Sequence, residues 1–100
     1  MTVTEKKQGV KYDENKPRYD LIPHAALREV ADVLTMGAAK YSDDNWKRVD
    51  GLRQRYTAAL MRHTEAWRSG ERIDPESGRS HLAHVICNAM FLMWADEEGL

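Results

Sequence analysis

The chain has 100 residues, 42% hydrophobic and 31% charged, a balance that fits one globular domain and excludes a disordered or fibrous chain. Its formal net charge of -1 supplies no overall field toward a nucleic-acid polymer or an anionic membrane, so an anionic ligand has to be met by a local cluster. This length lies near the lower end of what a self-sufficient core needs, which favours a homo-oligomer.

Residues 1–21 are polar, lack helical periodicity and contain Lys16-Pro17, which biases Lys16 away from helix; they read as an extended N-terminal arm. Nothing in the arm is apolar enough for a signal peptide, and the most apolar run, Leu82 to Ala95, is interrupted by His84 and Asn88. The expectation is a soluble, cytoplasmic protein without a membrane span. Residues 22–100 read as a single helical domain.

A first helix is predicted from Pro23, a favourable first-turn residue, to about Lys40, with Leu27, Val30, Val33, Leu34, Ala38 and Tyr41 as its buried stripe. Gly37 inside it costs about 1 kcal/mol relative to alanine, and close approach of another backbone is the expected reason. The loop YSDDNWKRVDG follows. A second helix is predicted from Leu52 to Ser69 and stops at Gly70; its stripe of Leu52, Tyr56, Ala59, Leu60, His63 and Trp67 places an imidazole in line with core residues. After GERIDPESGR, Ser80 caps a third helix reaching about Glu97. Leu82, Val85, Ile86, Ala89, Met90, Leu92, Met93 and Trp94 surround that helix with apolar surface, and only His81, His84 and Asn88 form a polar stripe. Cys87 has no disulfide partner and reads as a small core residue. The predicted architecture is all-α, three main helices plus the arm.

Burying imidazoles without partners is unfavourable, so His81, His84 and Asn88 call for a metal, a carboxylate or a ligand, or are satisfied by neighbouring groups. His63, Asp74 and Glu76 are the nearest partners by chain geometry, and together the set offers nitrogen and oxygen donors for a divalent ion or a polar floor for a substrate. Glu29 and Asp32, three residues apart, read either as a Mg²⁺ pair or as a solvated helix face. Lys40, Lys47, Arg48, Arg53, Arg55 and Arg62 crowd the first two helices and their loop, with Lys16 and Arg18 on the arm. Some of these are candidate phosphate ligands, Lys40 and Arg62 first among them. Trp46 is placed either to stack on a base whose edge Asn45 reads, or to anchor its own loop.

The segments KYDENKPRYDLIP, EVADVLTMGAAKY, DDNW, RHTEAW and DPESGRSHLAHVICNAMFL, in that order, resemble the phage-encoded dATP/dGTP diphosphohydrolase N-terminal domain family over Val10 to Leu92. The family looks like a relative of MazG-like all-α nucleoside triphosphate pyrophosphohydrolases, helical oligomers in which carboxylates on two helices bind Mg²⁺. The resemblance carries over to Lys16, Arg18, Lys40, Tyr41, Asn45, Trp46, His63, Asp74, Glu76, His81, His84 and Asn88. It implies a MazG-like bundle completed by oligomerisation and a nucleotide ligand. It departs where a second acidic pair belongs: Glu29-Val-Ala-Asp32 is present, but the later position reads His81-Leu-Ala-His84.

The leading expectation is a Mg²⁺- or Mn²⁺-dependent pyrophosphohydrolase converting a purine deoxynucleoside triphosphate to monophosphate and pyrophosphate. Glu29, Asp32, His81 and His84 are the candidate metal ligands, His63, Asp74 and Glu76 the candidate catalytic groups. Lys16, Arg18, Lys40, Tyr41, Asn45, Trp46, Arg62 and Asn88 are the candidate substrate contacts. The alternatives are a non-catalytic phage protein that sequesters a host-defence signalling nucleotide, and a purely structural helical module.

Overall fold

The computed structural model describes residues 8–100; residues 1–7 of the expected arm lie outside the described residues. Residues 8–18 are exposed and outside any helix, followed by a single 3-10 turn at Tyr19–Leu21. Three α-helices then make up the fold: α1 (His24–Lys40), α2 (Leu52–Arg68) and α3 (His81–Glu98). The described residues contain no strand, only an isolated bridge between Ile73 and Ser80.

The ends of the helices follow from local chemistry. Pro23 stands immediately before α1, one position earlier than expected, where its missing N–H costs nothing. At the end of α2, Gly70 takes φ of 103°, and the N–H groups of Gly70 and Glu71 donate to the carbonyls of Trp67 and Ala66, which closes the helix. Ser80 caps α3 by accepting from the Leu82 N–H at 3.1 Å.

Helix α3 is the centre of the molecule. It packs along α2 and, less extensively, along α1, whereas α1 and α2 have no comparable contact with each other. Val30, Leu52, Ala83, Cys87 and Ala95 are buried at these seams, with the Cys87 thiol 3.7 Å from the Val30 carbonyl it donates to. Burial pushes that thiol up to about 11, which suits a core residue rather than a nucleophile. A second cluster pins the loop after α1. Trp46, on the 3-10 turn Asn45–Arg48, stacks on Phe91 at 4.3 Å and meets Trp94 edge-on at 5.1 Å, while the Tyr56 hydroxyl donates to the Trp46 carbonyl.

Three expectations about packing change. Leu27 and Tyr41 are exposed, because α1 packs mainly on α3 and buries a narrower stripe than its sequence offers. Trp67 is likewise exposed at the last turn of α2. Gly37 is not a point of close backbone approach, since a Cβ there would meet nothing within 4 Å. It lines open space between the helices instead.

Candidate functional site

Because α1 and α2 diverge over α3, a cleft of about 970 Å³ opens between them. Val33, Leu34, Met36 and Ala38 of α1 and Phe91 of α3 supply apolar wall, and His63, Asp74, Ser77 and His84 supply polar wall. Lys40, Asn45, Trp46 and Glu76 also line it.

The polar wall depends on the loop between α2 and α3. The Ile73 to Ser80 bridge, the Asp74 N–H to Arg79 carbonyl bond of 2.8 Å and the Gly78 N–H to Asp74 carbonyl bond of 2.7 Å fold it into a tight turn. Gly78 sits at φ of 72°, where a side chain would be strained. The Asp74 carboxylate accepts from the N–H groups of Glu76 and Ser77, and this local turn holds it 3.5 Å from His84 Nε2. Ser77 Oγ lies 2.7 Å from the same nitrogen. Across the seam the rings of His63 and His84 stack in parallel at 4.4 Å. One donor atom from each of His63, Asp74 and His84 lies within 4.8 Å of the other two, and among the described residues this is the one such group of three.

His81, 4% exposed, lies behind this cluster with both ring nitrogens engaged. Its Nε2 is 2.6 Å from Glu71 Oε1 and its Nδ1 is 2.8 Å from His63 Nδ1. With one proton on each ring, a single arrangement satisfies the chain. The carboxylate only accepts, so His81 carries its proton on Nε2; its Nδ1 then accepts from His63 Nδ1–H, and His63 Nε2 keeps a bare lone pair.

Burial pushes the His63 imidazole below its ordinary value, with His84 reinforcing the effect. Burial lowers His84 too, against the opposing pull of Asp74. For Asp74 burial acts upward but is outweighed by hydrogen bonds from Ser77 and Glu76 and by His84, so the carboxyl is held below the usual range. At neutral pH the cluster therefore presents two uncharged imidazoles and one carboxylate.

The structure brings together only part of the predicted set. His63, Asp74, Glu76, His84, Lys40, Asn45 and Trp46 line the cleft. His81 stands behind it, and Asn88 is buried with its amide donating to the His84 carbonyl at 2.8 Å. Glu29 is exposed on α1 and Asp32 is half-buried, and neither lines the cleft or joins the His63 cluster. The oxygen cage that a MazG-like Mg²⁺ site requires is thus not assembled by these residues.

The basic cluster is dispersed. Arg53 binds Asp96 and the Leu100 carbonyl, Arg48 donates to Ser42, Arg18 pairs with Asp20, Lys47 lies over Trp46 and Trp94, and Arg62 is exposed away from the cleft. Lys16 and Tyr41 are exposed and also outside it. Phe91 and Lys47 cover Trp46 in the way an anchoring residue is covered. Sequence reasoning missed Ser77, Glu71, Asp43 and Asp44. Ser77 carried a signal in the D-P-x-S turn, whereas Glu71 becomes meaningful only once His81 is seen beside it.

The structure is thus a three-helix domain with an open cleft and a histidine–carboxylate cluster on its wall. The chain belongs to the family described as dATP/dGTP diphosphohydrolase, N-terminal, which it matches over residues 6–99. A Salmonella phage PMBT28 protein named dATP/dGTP diphosphohydrolase is 36% identical over 87 residues, covering 86% of this chain and 29% of the relative. The chain thus spans under a third of that relative's length. No solved structure matches.

Proposed function

We propose that the cleft binds the metal complex of a purine deoxynucleoside triphosphate and hydrolyses it to monophosphate and pyrophosphate. The carrying observation is the charge of the lining: Asp43, Asp74 and Glu76, together with Asp44, which Lys47 pairs at 3.6 Å, face a single lining ammonium, Lys40. A bare triphosphate would be repelled by such a wall, whereas divalent cations drawn to the carboxylates would offset that repulsion. The family and the name of the phage relative support a nucleotide diphosphohydrolase.

In this reading the base rests on the apolar wall of Val33, Leu34 and Met36, with Asn45 at its edge, and Lys40 meets the phosphates. Lys40 is held charged, chiefly by Tyr41 and with a contribution from Glu76. Water attacks the α-phosphorus, the bond from that phosphorus to the bridging oxygen breaks, and pyrophosphate departs with that oxygen. Glu76, exposed on the cleft lining, accepts the proton of the attacking water.

Self-association belongs to the same proposal. Leu82, Ile86, Met90 and Met93 form a stripe on α3 that neither α1 nor α2 covers, and a second copy of the chain is the partner we assign to it.

The test is incubation of the purified chain with each of the four deoxynucleoside triphosphates, with Mg²⁺ or Mn²⁺ or with EDTA, followed by mass-resolved chromatography of supernatant and denatured protein. Monophosphate and pyrophosphate from dATP or dGTP, formed only with metal, is the expected result. Intact nucleotide recovered from the protein under every condition would replace hydrolysis with sequestration.

A further inference from the structure

We infer that His63, Asp74 and His84 form a site for a divalent transition metal of the Zn²⁺, Co²⁺ or Mn²⁺ class, with His81 and Glu71 as the outer groups that position His63. This goes beyond the nucleotide reading and does not depend on hydrolysis.

The donor set is the first argument. Two imidazole nitrogens and one carboxylate oxygen match the three-ligand sites that hold Zn²⁺ and its neighbours, whereas Mg²⁺ prefers an all-oxygen shell. Glu29 and Asp32, the carboxylates of the expected metal set, both lie outside this cluster.

Geometry is the second. The three donor atoms are within 4.8 Å of one another, and a tetrahedral ion with bonds of roughly 2.0–2.2 Å spaces its donors about 3.4 Å apart. Side-chain adjustments of about 1 Å close that gap, with the Ser77 hydroxyl turning from His84 toward Asp74. Each ligand stands on a separate support: His63 on α2, His84 on α3 and Asp74 on the bridged turn. All three line the cleft, so water or a phosphate oxygen reaches the remaining coordination positions.

An outer shell supports one of the ligands. Metal-binding histidines commonly give their second ring N–H to a carboxylate or another acceptor, which fixes tautomer and orientation. Here Glu71 Oε1 to His81 Nε2 at 2.6 Å and His81 Nδ1 to His63 Nδ1 at 2.8 Å do this through one intervening ring, leaving His63 Nε2 free to bind.

The test uses the chelator-stripped chain, titrated with Co²⁺ and Zn²⁺ and separately with Mg²⁺, followed by calorimetry and, for Co²⁺, by visible d–d absorption. One equivalent per chain, with Zn²⁺ or Co²⁺ bound at least about 100-fold more tightly than Mg²⁺, is expected. Asp74→Asn and His84→Gln should each lose about 100-fold in affinity, and Glu71→Gln about 10-fold or more. Circular dichroism of the metal-free variants reports whether each folds. If His84→Gln does not, Asp74→Asn and the wild-type Co²⁺ spectrum decide the matter. Absence of saturable Co²⁺ or Zn²⁺ binding by the wild type, or unchanged affinity in Asp74→Asn, would overturn the site. Unchanged affinity in Glu71→Gln would overturn the role of the outer shell.

Discussion

At the scale of single residues, His63 and His84 decide how the metal-free chain answers to acid. Both imidazoles have folded values below the ordinary 6.5, principally because they are buried. Between the folded and unfolded values the unfolded chain binds more protons, so stability rises with pH there. It is fully present above about pH 6.5 and lost as pH falls through the lowered folded values. Thermal melts of metal-free protein from pH 7.5 to 5 should show this loss, and His84→Gln should flatten it; a flat wild-type profile would contradict the burial account. Gly37 gives a second residue-scale outcome. An added methyl meets nothing within 4 Å, so Gly37→Ala should stabilise α1 by about 1 kcal/mol and raise Tm by roughly 4–8 °C. A lower Tm would restore the close packing expected from sequence.

Among the elements, the turn between α2 and α3 links fold to site, because it places Asp74 and Ser77 against His84. Gly78→Ala forces a side chain into the left-handed region at φ of 72° and should cost about 1–2 kcal/mol. The same variant should weaken Zn²⁺ binding, measured by calorimetry alongside the melt; lower Tm with unchanged affinity would separate the turn from the site. The helices around this turn were legible in sequence, since their signals are local: Ser80 before an apolar run, Gly70 after one, Pro23 before another. All-α architecture followed directly. The meeting of His63 with His84 was only suggested by their stripes, because which faces oppose each other is set by packing. Glu29 and Asp32 show the limit of spacing, as a pair three residues apart looks the same on a solvated face as in a cage. The arginines show a related one: Arg53 is taken up by Asp96 at the far end of α3, a partner 43 positions away.

The whole molecule exposes 8461 Å², against roughly 5,800 Å² for a compact monomer of this mass. Part of the excess comes from residues 8–18, which are exposed and outside any helix. The rest includes the uncovered α3 stripe, where Met93 is 64% exposed. Light scattering should therefore report a dimer or higher oligomer, and Ile86→Lys should shift it toward monomer. A monomeric wild type at tens of micromolar would remove self-association from the proposal. Among the described residues no helix is long and apolar enough to cross a membrane.

In the proposed reaction the acidic cleft directs water to the α-phosphorus of a metal-bound nucleotide. Hydrolysis of dATP or dGTP in H₂¹⁸O, with Mn²⁺ present and the products resolved by mass, tests it most directly. Attack at the α-phosphorus places ¹⁸O in the deoxynucleoside monophosphate and none in pyrophosphate. Label in pyrophosphate, release of inorganic phosphate instead, or no turnover at all would contradict it.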